Sequence, residues 1–249
     1  MRLLLANPNT SEALTRQMAT VAEAVAPADC RIEAVTASRG FPYLSTRAEA
    51  HIAGAVLLEV LAEANADAAI IAAFGDPGLR AARDLCDFPV VGVSDAAMMS
   101  AAMLGERFAI IGFTQRMRSW YLDGVRDAGL SSRFAGFRAP DVEPTSVEAA
   151  QHELRDALLA CIEAAVRHDG ADAVILGGAP LAGLAATLAA SAPVPLIDPI
   201  AAATLQAAAL VRLAAQRPAR IIEAKPSTGL DARLARRFGG QLAVNGGAS

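Results

Sequence analysis

The chain is 249 residues long, enough for one large domain or two small ones and for a sizeable core. Apolar residues make up 54% of it and aromatics only 4%, so the apolar content is mostly Ala, Leu and Val, and a disordered chain is excluded. With 22 Lys plus Arg against 26 Asp plus Glu, the formal charge of −4 leaves no basic excess for phosphates and argues against a nucleic-acid partner.

In chain order, short apolar runs bounded by turn residues alternate with longer stretches of helical period. Strands are expected at 2–6, 31–35, 68–74, 90–93, 108–112, 173–176 and 196–197, and their apolar runs suit buried parallel strands. Helices are expected at 10–25, 46–64, 79–85, 96–104, 115–128, 146–168, 181–189 and 200–215, several opened by Ser, Thr or Asp. This βα alternation predicts an α/β fold built on mainly parallel sheets. The remaining segment, 226–249, carries Arg233, Arg236 and Arg237 on a short helical pattern and reads as a solvated or subunit-packing tail.

Three cysteines, Cys30, Cys86 and Cys161, are too few and too scattered for a disulfide framework or a CxxC metal site, which suits a reducing cytoplasm. The opening run Leu3-Leu4-Leu5 meets Asn7 and Pro8 before a signal-peptide core can develop, and Gln206 and Arg212 interrupt the Ala-rich stretch near 199–215, so no membrane span is expected. His51, His152 and His168 have no metal-binding spacing, and no metal is expected. No GxSxG elbow, P-loop or GxGxxG fingerprint occurs, which argues against hydrolase, NTPase and dinucleotide-binding functions.

An internal repeat organises the chain. The segment 67–79, DAAIIAAFGDPGL, aligns without a gap with 172–184, DAVILGGAPLAGL, at a constant offset of 105 residues. Each copy is a strand, a turn of small residues and a helix start, followed by a proline-led short strand and an Ala-rich helix. Duplication predicts two similar half-domains facing one another: residues 1–95 with about 205–249 in the first, and 96–204 in the second. The exits at 73–75 and 177–179 would then converge, where free amides attract anions.

Candidate polar groups lie at the strand exits. Asp76 reads either as a base at the cleft or as an N-cap of the helix beginning at Pro77. Asn9 and Thr10 read as binders of a carboxylate or urea-like edge, or as caps of the first helix. Ser94 with Asp95, and Asp198, are each open to capping, and Asp198 also to facing the cleft.

Several motifs together resemble the aspartate/glutamate racemase superfamily, and within it the hydantoin racemase branch. They are NPNTS at 7–11, GFPYLS at 40–45 with RAEA at 47–50, FGDPGL at 74–79, PVVGV at 89–93 and LGGA at 176–179, and the likeness runs from residue 1 to about 215. The resemblance implies two pseudo-symmetric parallel-sheet half-domains with a cofactor-free site in the cleft, a small carboxylate or hydantoin-like substrate, and a homo-oligomer. It implies substrate-binding turns at Asn9, Thr10, Ala73, Phe74, Gly75, Thr114, Gly178, Ala179 and Pro180, with Thr114 as a hydroxyl near the substrate or a cap.

The same family uses two cysteines, one after each repeated strand, to remove a proton from one face of an acidic carbon and return it to the other. The matching positions here are Ala73 and Gly178. This leaves Asp76 as the candidate acid or base. The expected function is a cofactor-independent isomerase with an altered mechanism acting beside a carbonyl or carboxylate. A malonate-type decarboxylase and a catalytically inactive small-molecule-binding relative are the alternatives.

Overall fold

The structure is a computed structural model that describes residues 1–147, 149–213 and 224–239. Two four-stranded parallel sheets carry the fold. The first is ordered β2-β1-β3-β4, from β1 (Arg2–Asn7), β2 (Arg31–Thr36), β3 (Ala68–Ile71) and β4 (Val90–Gly92). The second is ordered β6-β5-β7-β8, from β5 (Phe108–Gly112), β6 (Phe134–Arg138), β7 (Ala173–Gly177) and β8 (Leu196–Ile197). The orders are the same with every label advanced by four, and the repeated segments supply the corresponding strands β3 and β7.

Helices cover both faces of each sheet. Between the sheets, α1 (Glu12–Val25), α4 (Val93–Leu104) and α9 (Pro199–Leu213) share one core with Leu3, Leu5 and Ile70 of the first sheet and Phe108, Ile110 and Ile175 of the second. The outer face of the first sheet is covered by α2 (Arg47–Ala62), α3 (Leu79–Leu85) and α10 (Ala232–Arg237). The outer face of the second is covered by α7 (Arg155–Asp169) and α8 (Leu184–Leu188). Since β1, β3, β5 and β7 are each covered on both faces, every residue from Leu3 to Ala6 and from Ala173 to Leu176 is buried, which explains their unbroken apolar runs. The other two helices are α5 (Arg118–Asp127) and the single turn α6 (Ala150–Glu153).

Local chemistry sets the ends. Ser11 caps α1 through Leu14 N, and Thr46 with Glu49 forms a reciprocal capping box on α2. Strand β6, absent from the expected elements, is an edge strand of half-buried residues with Gly136 in its middle, so it has no continuous apolar run to reveal it. The expected helix 146–168 is two helices, broken at Leu154, where ψ moves to 3°. The segment expected as helix 181–189 opens instead on a 3-10 turn, Ala179–Leu181, before α8. The expected end of α9 at 214–215 and the tail beyond 239 lie outside the described residues.

The tail expectation needs correction for α10. Leu234 and Ala235 are buried, Arg236 pairs with Glu63, and Arg237 donates to Leu85 O and to Asp87 at 2.5–2.9 Å. This helix is therefore packed on the first half of its own chain. Among the described residues no helix is long and apolar enough to cross a membrane.

Candidate active site

Strands β3 and β7 end at corresponding points, and their exits meet. Ala73 and Phe74 line the same narrow cavity as Gly178 and Ala179, and the Phe74 ring packs against Gly177 at the end of β7. The turn bonds here run from Asp76 N to Ala73 O and from Leu181 N to Gly178 O, both 2.9 Å. The amides of Phe74 and Ala179, two residues of the cavity lining, stay outside those turn bonds.

The wall is aromatic. Tyr43, Phe113, Met117, Trp120 and Tyr121 line a narrow space with Asn9, Leu44 and the two exits. Both tyrosines and the only tryptophan of the chain gather here. Tyr121 meets Phe74 edge to face at 4.6 Å, and Tyr43 meets Phe113 at 5.8 Å. Neither phenol hydroxyl has a hydrogen-bond partner among the described residues, and the Tyr43 hydroxyl is fully buried. Burial pushes both phenols above their usual range, so both stand as proton donors.

Asn9 arrives from the β1 exit. Its Oδ1 accepts from Asn7 Nδ2 and Ser11 N, both at 2.9 Å, and this network fixes the side chain at the cavity edge. Tyr43 is carried by the 40–45 loop, which Thr10 N holds through Phe41 O at 2.9 Å.

The other expected positions are arranged differently. Asp76 turns away from this cavity and lines a separate depression with Arg80, Ser94 and Asp127. Its carboxylate accepts from Ser94 N, Ser94 Oγ and Asp95 N at 2.5–2.9 Å, so it caps α4 rather than the helix after Pro77. That remote cap explains why α4 starts at Val93, three residues before the expected start. Helix α3 begins instead at Leu79, with Gly78 at its N-cap and no side-chain cap bond. Gly75 leaves space that Trp120 fills, and it borders the Asp76 depression. Thr114 gives its hydroxyl to Glu143 at 2.8 Å and receives Arg116 N, away from the cavity. Pro180 also lies outside the lining, and its carbonyl accepts from Gln17 and Gln151. Asp198 caps α9 through Ile200 N and Ala201 N and holds Gly183 N at 2.5 Å.

The cysteines lie elsewhere. Cys86 is buried at the end of α3, and burial pushes the Cys30 and Cys161 thiols upward, away from the thiolate form. Among the described residues, the cavity lining contains no Cys, His, Asp, Glu, Lys or Arg. Sequence reasoning missed Tyr43, Trp120 and Tyr121. Their signal was scarcity, because large aromatics in a chain with 4% of them carry more information than another alanine.

Two sheets of one topology, with corresponding strand exits opening on one cavity, define an α/β protein built of two like halves. The family model described as Asp/Glu/hydantoin racemase matches residues 3–207, and the chain belongs to that family. It is 36% identical to the hydantoin racemase of Paenarthrobacter aurescens over 220 residues, covering 87% of this chain and 93% of that protein. The allantoin racemase structure from Klebsiella pneumoniae superposes with TM-score 0.81 at 34% identity, covering 86% of this chain and 88% of that one. The allantoin racemase from Pseudomonas fluorescens gives TM-score 0.78 at 28% identity, covering 89% and 100%.

Proposed function

We propose that this protein is a cofactor-independent, racemase-type enzyme acting at a carbon beside a carbonyl, on a hydantoin-like or small carboxylate substrate. The observation that carries this is the convergence of the two repeated exits on a cavity furnished with free amides, Asn9 and two phenols. Amides at the exits stabilise the enolate oxygen, and the aromatic wall excludes water from the carbanion. The positions matching the family's thiols, Ala73 and Gly178, carry no proton, so the mechanism differs from a two-thiol exchange. The same proposal takes the protein to be a cytoplasmic homo-oligomer with no nucleic-acid or membrane partner.

One observation favours a second reading. The lining offers proton donors and no ready base, which suits decarboxylation of a malonate-type acid, where loss of CO2 generates the carbanion without proton abstraction. The deciding experiment follows the protein with enantiopure 5-benzylhydantoin, allantoin and phenylmalonate in D2O. NMR reads entry of deuterium beside the carbonyl, and CO2 release is measured separately. Deuterium entry into a hydantoin supports the racemase-type reading. CO2 release alone supports the lyase, and binding without either reaction moves the protein to the inactive relatives.

A further inference from the structure

The point where a Cβ on Gly178 would project lies 3.5 Å from the Tyr121 hydroxyl oxygen. A protic group therefore stands beside the vacant second thiol position, delivered from α5 instead of from the β7 exit. The Tyr121 ring is fixed by three aromatic neighbours, Phe74 at 4.6 Å, Phe137 at 6.0 Å and Trp120 at 6.2 Å, so its hydroxyl has a defined direction. That hydroxyl has no hydrogen-bond partner among the described residues although the ring is buried, and it borders the cavity. On the other side, the Ala73 methyl offers nothing comparable, and Leu44 and Ala53 pack around it.

We propose that Tyr121 is the proton-carrying residue on the Gly178 side, exchanging its hydroxyl proton with the carbon beside the carbonyl of a hydantoin-type substrate. This rests on the racemase-type reading above. In the protonating direction, the enolate electron pair forms the new C–H bond while the Tyr121 O–H bond breaks, and the phenolate left behind takes a proton from water. In the reverse direction, hydroxide first takes the Tyr121 proton to give water, the phenolate so formed removes the proton from carbon, and the C–H pair passes into the enolate. The two directions use one group on one face, so exchange with retention outruns inversion.

The test uses the intact chain with (S)-5-benzylhydantoin in D2O. Loss of the C5 proton is read by NMR, loss of configuration by polarimetry, and both are corrected for the uncatalysed rate. The expected result is deuterium entry faster than loss of rotation. Tyr121→Phe keeps the ring and is expected to lower exchange by about 100-fold or more, the range of a lost acid–base group. Binding of 5-benzylidenehydantoin, planar at C5, reports cavity integrity and is expected to change less than about threefold in Tyr121→Phe, since the group acts mainly on proton transfer.

A further variant covers the case in which Tyr121→Phe fails to bind that probe. Incorporating 3-fluorotyrosine into Tyr43→Phe labels position 121 alone with a more acidic phenol, and the midpoint of the exchange-against-pH curve is expected to move down. Exchange at the native rate in Tyr121→Phe, or an unmoved midpoint in the fluorinated protein, overturns the assignment. Rotation lost as fast as deuterium enters also overturns it, because a second carrier must then serve the opposite face. If the native chain binds the planar probe and exchanges no proton, the proposed function fails and the Tyr121 role fails with it. Exchange by the native chain that survives Tyr121→Phe removes the Tyr121 role alone.

Discussion

The Phe113 ring stands 3.0 Å from the point where a Cβ on Gly178 would project, and Gly178 holds φ at +125°. Position 178 therefore disfavours a side chain twice over, through its backbone and through its neighbour. Gly178→Cys is expected to destabilise the fold by on the order of 1–3 kcal/mol through backbone strain, with the ring clash in addition. Adding Phe113→Leu should recover the clash and leave the strain. Urea unfolding of both variants checks this, and a Gly178→Cys protein as stable as the native one would refute it. Ala73→Cys, at a negative-φ position on the cavity wall, is expected to cost much less.

Gly92 and Asp76 depend on one another in the same way, because a Cβ at position 92 would overlap the Asp76 carboxylate. Asp76→Ala removes the cap of α4, a loss of about 1–2 kcal/mol, and Gly92→Ala should displace the same carboxylate. The double variant is expected to cost clearly less than the sum of the two, since the second change removes a contact already lost. Thermal unfolding of the four proteins measures this coupling. Additive costs would show that the two residues act separately.

Burial also pushes Asp76 up to about 6, above its ordinary 3.8, despite the three donors that favour its charge. Between those values the folded chain holds more protons than the unfolded chain, so stability from Asp76 is present below about pH 4 and lost as pH rises through about 6. Asp76→Asn cannot titrate. The stability of the native chain relative to that variant is expected to shrink between pH 4.5 and pH 7.5, read by urea unfolding at each pH. A constant difference would mean that the carboxylate titrates alike in both states.

Gln17 of α1 and Gln151 of α6 donate to the same two carbonyls, Pro180 O and Ala182 O, at 2.8–3.2 Å. Each substitution to Ala leaves both carbonyls one remaining donor, so single variants should lose only about 0.5–1.5 kcal/mol. The pair together leaves those acceptors without either amide and should lose more than the sum. Hydrogen exchange at 178–183 should accelerate sharply in the double variant alone. Equal acceleration in a single variant would assign the turn to one glutamine.

Much of this fold was legible because central parallel strands need apolar residues on both faces, and Leu3–Leu5, Ile110–Ile111 and Ala173–Leu176 meet that need in sequence. The repeat identified the partner exits because both copies need small residues where backbones approach. Strand β6 was not legible, since an edge strand with half-buried residues has no such constraint. Asp76 misled for a related reason: a carboxylate after a strand has the same local sequence whether it caps the next helix, caps a remote one or faces a ligand. Only the path of the chain places Ser94 N beneath it. The phenols were hidden because Tyr43 and Tyr121 come from a loop and a helix nearly 80 residues apart, and no local spacing joins them.

The gathering of Tyr43, Trp120 and Tyr121 around one cavity also gives the protein a built-in optical reporter. A chain whose only tryptophan and both tyrosines border the same space absorbs and emits near-ultraviolet light almost entirely from that space. With Tyr121 and Trp120 centred 6.2 Å apart, excitation of the phenol passes to the indole, so emission collects on one residue. Ligand entry, protonation of a phenol or loosening of the 40–45 loop therefore registers in the intrinsic fluorescence without a label, and unfolding elsewhere registers only once it reaches this wall.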